Sequence, residues 1–130
     1  MRLGLVLNIL DEEYQIYLYT GIVKKAKELG MEIVCFQQEN THFSPDELIS
    51  FFPKKDYFDL DGIILLTTVI IDNYEINKKE NIEKIWGKDI PVISVGQKVD
   101  GVPSLLVEGE QTMKELGEHL NLKHNYRNFF

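Results

Sequence analysis

Polar side chains collect at four places in this 130-residue sequence, each directly after a run of apolar residues. Asn8, Asp11, Glu12, Glu13, Tyr14 and Gln15 follow the run Leu3 to Leu7, and Thr67 and Thr68 follow Ile63 to Leu66. Gly96, Gln97 and Lys98 follow Val92 to Val95, and Glu108, Gly109 and Glu110 follow Leu105 to Val107. Amides, hydroxyls, carboxylates and one aromatic ring are the groups that orient a small polar molecule in a cleft. No nucleophile stands beside a base among them, so the set suits binding better than catalysis, and no catalytic residue is assigned. The candidate ligand contacts are Asn8, Asp11, Tyr14, Gln15, Thr67, Thr68 and Gln97.

Other chemistries lack their residues. A dinucleotide site needs G-x-G-x-x-G after the first strand so that backbone can approach a pyrophosphate; the turn here carries Asp11-Glu12-Glu13, which repels phosphate. A phosphate-accepting receiver domain needs a carboxylate at the end of the third strand, but Asp61 precedes that strand and Thr67-Thr68 follow it. The three carboxylates have a second reading as first-turn acids that offset a helix macrodipole. One cysteine, Cys35, excludes an internal disulfide and reads as a core residue. Three scattered histidines form no metal-ligand cluster, and His119 and His124 read as exposed residues near a helix C-terminus. No cofactor is implied. A net charge of −7 argues against broad contact with a nucleic-acid backbone. No tract is long and apolar enough for a membrane span, and Leu3 to Leu7 is too short for a signal peptide, which leads to the expectation of a cytoplasmic protein.

The elements that position these residues alternate regularly. The apolar runs, with Ile33 to Phe36 as the second of five, read as strands buried on both faces of a parallel sheet, with the strand starting at Leu3 near its centre. Tyr14, Leu18, Ile22, Ala26 and Leu29 form the core stripe of a first helix that Gly30 ends; Gly21 lies on or beside that stripe. Tyr17 and Tyr19 point elsewhere, as residues of an oligomer interface would. Ser44-Pro45-Asp46-Glu47 reads as a capping box opening a short helix that Pro53 ends. Ile82, Ile85 and Trp86 give the inner face of a third helix, starting near Asp72 or later and stopping at Gly87, and Met113, Leu116, Gly117 and Leu120 give the packed face of a fourth. Asp100-Gly101 leaves open a tight turn that would make the last two strands antiparallel. The expected fold is α/β, a doubly wound, mainly parallel five-stranded sheet with helices on both faces, in one domain over 1–130. A further strand start at Tyr126, running to Phe129-Phe130, suggests one lobe of a larger molecule.

Several segments resemble one family in order along the chain. Tyr14 to Phe36, with Ala26-Lys27-Glu28-Leu29-Gly30-Met31-Glu32-Ile33, is similar to the first helix and second strand of the lactose-repressor-like, periplasmic-binding-protein-like (type 1) sensor domains. Asp61-Gly62-Ile63-Ile64-Leu65, Ile90-Pro91-Val92-Ile93-Ser94-Val95, Pro103 to Val107 and Glu118 to Asn128 resemble that family's later strands and closing helix. The resemblance implies the N-terminal lobe of a two-lobed sensor that closes on a small ligand, commonly a sugar or nucleoside. Tyr14 and Gln15 match an aromatic pair that often stacks on ligand, Thr67 and Thr68 match a cleft-lining loop, and Gln97 lies near a ligand position after the fourth strand. The sequence departs from the family at Gln15, which is not aromatic, and at Glu108-Gly109, where Asp-Asn is usual. The resemblance also implies a homodimer through the N-terminal lobe. The DNA-reading head of the family is absent here, so no nucleic-acid contact by this chain is expected.

The resulting expectation is a non-enzymatic, ligand-sensing regulatory domain that controls transcription or signalling through an attached output module. The alternative is a receiver-like or flavodoxin-like signalling or interaction module without a small ligand.

Overall fold

Parallel pairing of Arg2–Leu7 (β1) with two partners at once sets the architecture. The computed structural model describes residues 1–7, 10, 13–37, 58–67 and 78–126. One edge of β1 pairs with Glu32–Gln37 (β2) and the other with Gly62–Leu66 (β3), so that Leu5 lies opposite both Cys35 and Ile64. Val92–Val95 (β4) pairs with β3, and Ser104–Leu105 (β5) pairs with β4. All four pairings are parallel, in the order β2-β1-β3-β4-β5. The antiparallel turn at Asp100-Gly101 does not form, because Ser94 and Val95 face Ser104 and Leu105 in parallel register. Strand β1 is internal, but β3 holds the centre.

Alternation along β1 divides the core in two. Leu5 and Leu7 point to one face with Leu66, where Leu18, Tyr19 and Ile22 cover them from helix α1, Glu13–Glu28. Val6 points to the other with Ile63 and Leu65, where helix α2, Lys79–Trp86, contributes Ile82, Ile85 and Trp86. Helices on opposite faces of a parallel sheet make the doubly wound arrangement. Both helices stop at glycines in the left-handed region, Gly30 (φ 67°) and Gly87 (φ 90°), where a side chain would be strained.

Several expected faces are rotated or uncovered. The buried stripe of α1 runs through Gln15, Leu18, Tyr19, Ile22 and Ala26, and leaves Tyr14 and Leu29 exposed. Tyr19 packs against the sheet rather than facing a partner, whereas Tyr17 is exposed. Gly21 faces open space, so it lies off the stripe. Cys35 is exposed because β2 is an edge strand with half-covered faces. The last strand is two residues long, and Leu106 and Val107 lie beyond it, exposed. Helix α3, Glu110–His124, has the apolar spacing of a packed face yet buries no residue; Met113 is 65% and Leu116 48% exposed. The short helix read at 44–53, the start of the third helix near Asp72 and the strand read after Tyr126 lie outside the described residues, apart from Tyr126 itself, which follows the C-cap of α3.

The amino edge of the sheet is tied by polar contacts. Asp61 accepts the backbone N–H of Arg2 at 2.6 Å, and the Arg2 guanidinium reaches Glu32 at 2.8 Å and the Phe58 carbonyl at 3.0 Å. Both ion-pair partners are exposed, so the pairing contributes about 0 to 1 kcal/mol.

Three substitutions test this packing by thermal or urea denaturation. A Cβ on Gly4 would lie 2.7 Å from Ile63 Cδ1 and 3.1 Å from Leu60 Cδ1, both buried, so Gly4→Val should cost roughly 1–3 kcal/mol. Ala26→Glu should cost several kcal/mol by burying an unpaired carboxylate. Gly21→Ala should stabilise by about 0.5–1 kcal/mol, since it improves helix propensity in open space; a destabilised Gly21→Ala variant would contradict the orientation of α1.

Candidate functional site

A parallel sheet whose second strand lies on one side of the first and whose third lies on the other has a switch point between β1 and β3. In open parallel sheets a ligand crevice lies outside the carboxyl ends of the strands at such a point, and α1 and α2 cover opposite faces here. The candidate residues follow from that geometry: Asn8 and Asp11 succeed β1, Tyr14 and Gln15 open α1, Thr67 and Thr68 succeed β3, and Gln97 succeeds β4. Asn8, Asp11 and Thr68 lie outside the described residues. The remaining four fall into two kinds.

Tyr14 and Gln97 have surface to offer. Tyr14 is 48% exposed in the first turn of α1, and Gln97 is half-buried. Gln15 and Thr67, at 2% and 0% exposure, are interior groups. They support the rim in this structure rather than forming its surface. For Gln15 this follows from the rotation of α1 described above, which turns position 15 rather than 14 toward the sheet.

Thr67 is the centre of the described part of the rim. Its Oγ1 accepts the backbone N–H of Gln97 at 3.0 Å, lies 2.8 Å from Ser94 Oγ and 2.9 Å from the Val95 carbonyl. Ser94 Oγ–H in turn donates to the Gln97 carbonyl at 2.6 Å. Each hydroxyl has one proton, so a closed ring results when Thr67 donates to Ser94: Gln97 N–H to Thr67, Thr67 to Ser94, Ser94 to Gln97 C=O. The Val95 carbonyl competes for the Thr67 proton. Ser94 is also fully buried, and in that low-dielectric setting a satisfied network is rigid while a broken one is costly. The ring fixes the Gly96-Gln97 turn to the end of β3, with Gly96 in the left-handed region (φ 102°). Among the described candidates, Thr67 and Gln97 are thus brought into contact.

Sequence reasoning overlooked Ser94. Its only signal was a hydroxyl inside the apolar run Val92 to Val95, where a buried polar group needs a partner. The polar residues noted after the fifth apolar run, Glu108 to Glu110, line with Leu106, Val107, Gln111 and Lys114 a groove of ≈ 760 Å³ at the start of α3. A cavity of ≈ 230 Å³ lined by Lys79, Glu83, Lys88 and Val102 opens at the amino end of the sheet, away from the switch point.

The described part of the site contains little reaction chemistry. Among the described residues, no group of three or more His, Cys, Asp or Glu could hold a metal ion. Partial burial raises the Cys35 thiol above its ordinary value of 9.0, which opposes the thiolate form. Asp61 sits at the amino end of β3, paired with Arg2, and the carboxyl end carries Leu66-Thr67, so β3 lacks a receiver-type phosphate acceptor. None of the described helices is long and apolar enough to cross a membrane.

No family model and no curated protein matches the chain in sequence. Solved structures do share its fold. A LacI-family transcriptional regulator, CCPA from Weissella paramesenteroides with bound glucose, superposes with TM-score 0.70 at 13% identity over 92% of this chain and 41% of its own. The trehalose repressor from Escherichia coli gives 0.67 at 16% identity over 98% and 45%. An ABC transporter solute-binding protein from Burkholderia multivorans gives 0.65 at 14% identity over 94% and 45%. The chain therefore spans less than half the length of the structures it matches. Its fold is the one that the matched parts of these structures share.

The hydroxyl ring can be tested directly. Thr67→Val leaves the Gln97 N–H without its acceptor and should cost roughly 1–3 kcal/mol in urea denaturation, with faster hydrogen exchange at the Gln97 amide. Thr67→Ser retains the oxygen and should lose clearly less.

Proposed function

We propose that the chain is one lobe of a small-molecule-sensing regulatory domain, and that a sugar- or nucleoside-type ligand binds at the carboxyl edge of its sheet. The observation that carries the reading is the β1–β3 switch point in the strand order, with an exposed tyrosine in the first turn of the helix after β1 and a Gly96-Gln97 turn bonded to the residue after β3. A rigid polar edge beside an aromatic face is suited to a ligand with hydroxyl groups and an apolar ring surface. Support comes from fold neighbours described with bound glucose and sucrose. The coverage of 41–45% of the neighbours' lengths supports a second lobe as the opposite wall of the cleft.

In this reading Tyr14 stacks on the ligand and Gln97 donates or accepts through its side-chain amide. Gln15 and Thr67 hold these two in place. Asn8, Asp11 and Thr68 belong to the same edge by their position in the chain. The protein is a sensor rather than an enzyme, works in the cytoplasm, and ligand closure biases an open–closed equilibrium read by an attached output module. A homodimer through this lobe is part of the proposal; the exposed Leu105, Leu106, Met113 and Leu116 offer apolar surface for burial.

Isothermal titration of the full-length protein with a panel of sugars, nucleosides and amino acids tests the reading. A sugar or nucleoside should bind, and Tyr14→Ala should weaken it by on the order of 0.5–1.5 kcal/mol through lost stacking. Binding unchanged by both Tyr14→Ala and Gln97→Ala would remove this edge from the site, and the interaction-module alternative would then lead.

A further inference from the structure

Two histidines meet at the end of α3, although their spacing in the sequence separates them. Residues five apart on a regular helix point about 140° away from each other. His124, however, is the last residue of α3, and Asn125 turns the chain back in the left-handed conformation (φ 60°). The Tyr126 N–H then donates to the Leu120 carbonyl at 3.2 Å. This C-cap lays the Tyr126 ring against the His124 ring, with centroids 5.9 Å apart and planes 18° apart. His124 is thereby held toward His119, and their Nε2 atoms lie 3.3 Å apart.

We propose that His119 and His124 form a chelating site for a divalent transition metal of the zinc, nickel or copper class. Two imidazole nitrogens about 2.0–2.1 Å from one tetrahedral ion lie roughly 3.3–3.4 Å from each other, which matches the observed separation. In the metal-free protein one ring donates a hydrogen bond to the other, and the ion takes the place of the shared proton. Imidazole selects these metals over magnesium and calcium, which prefer oxygen ligands. The rest of the coordination sphere is open to water or an exogenous ligand, since both histidines are exposed. Lys123 adjoins the site, whereas the net charge of −7 favours cations overall.

Because a protein of this charge attracts any cation, magnesium is the necessary control. The test is calorimetric and NMR titration of the complete chain with zinc chloride, nickel chloride and magnesium chloride. Zinc and nickel should bind at one site and shift the ring signals of His119 and His124 together, while magnesium shifts neither. His119→Ala and His124→Ala should each weaken zinc binding at least about tenfold, and Tyr126→Ala should weaken it less, because it only orients a ligand. Since α3 buries no residue, all three variants should keep the wild-type circular dichroism spectrum. Zinc binding that survives both histidine substitutions, an equal response to magnesium, or wild-type ring signals that do not move with zinc would each overturn the site.

Discussion

The centre of this molecule depends on β1 and β3 being hydrogen-bonded along both edges and covered on both faces. Leu5, Val6, Leu7, Leu65 and Leu66 are completely buried, with Leu5, Leu7 and Leu66 in the core on the α1 side and Val6 and Leu65 in the core on the α2 side. A one-residue slip in the β1–β3 register would exchange the two faces, placing Val6 against α1 and Leu5 against α2. Close approach at Gly4, where Leu60, Ile63 and Phe36 converge, further restricts the register. The positions at which the strands end, and with them the place of Thr67, are consequences of that pairing.

From the fixed strand ends, order passes outward to the rim by hydrogen bonds rather than by apolar packing. Thr67 is the first residue past β3 and Ser94 lies within β4, so the hydroxyl ring spans two strands already aligned by Leu65↔Ser94 and Leu66↔Val95. The Gln97 backbone, bound to both hydroxyls, inherits their position. Preorganisation of this kind reduces the ordering that a ligand must impose. It also explains why two polar residues are tolerated at zero exposure beside an otherwise apolar core.

The sequence was most informative where a residue's environment is local or where both faces of a strand are buried. The runs at Leu3, Ile63 and Val92 and the helix stops at Gly30 and Gly87 lie where their patterns place them, because continuous apolarity and a left-handed stop each have one economical solution. The phase of α1 was less legible: Tyr14 and Leu29 fit a stripe by spacing, but Gln15 and Tyr19 occupy the buried side. An amide and a phenol can both enter a core boundary when they find partners, and spacing alone does not reveal that. Ser94 and the Thr67 ring were hidden for a similar reason, since the partners are 27 residues apart and meet only once β3 and β4 pair.

Helix α3 shows a different limit of pattern reading. Met113, Leu116, Gly117 and Leu120 repeat as a core face would, yet the helix buries none of its residues and follows a strand of only two residues. Periodicity reports that a face is suited to burial; it does not say which surface covers it. Because α3 buries no residue, the cap is what shapes the last turn among the described residues. Asn125 and Tyr126 set where His124 points, and two side chains that helical geometry separates come within 3.3 Å. Local backbone chemistry thus decides side-chain chemistry at this end of the fold, whereas at the switch point the strand register decides it.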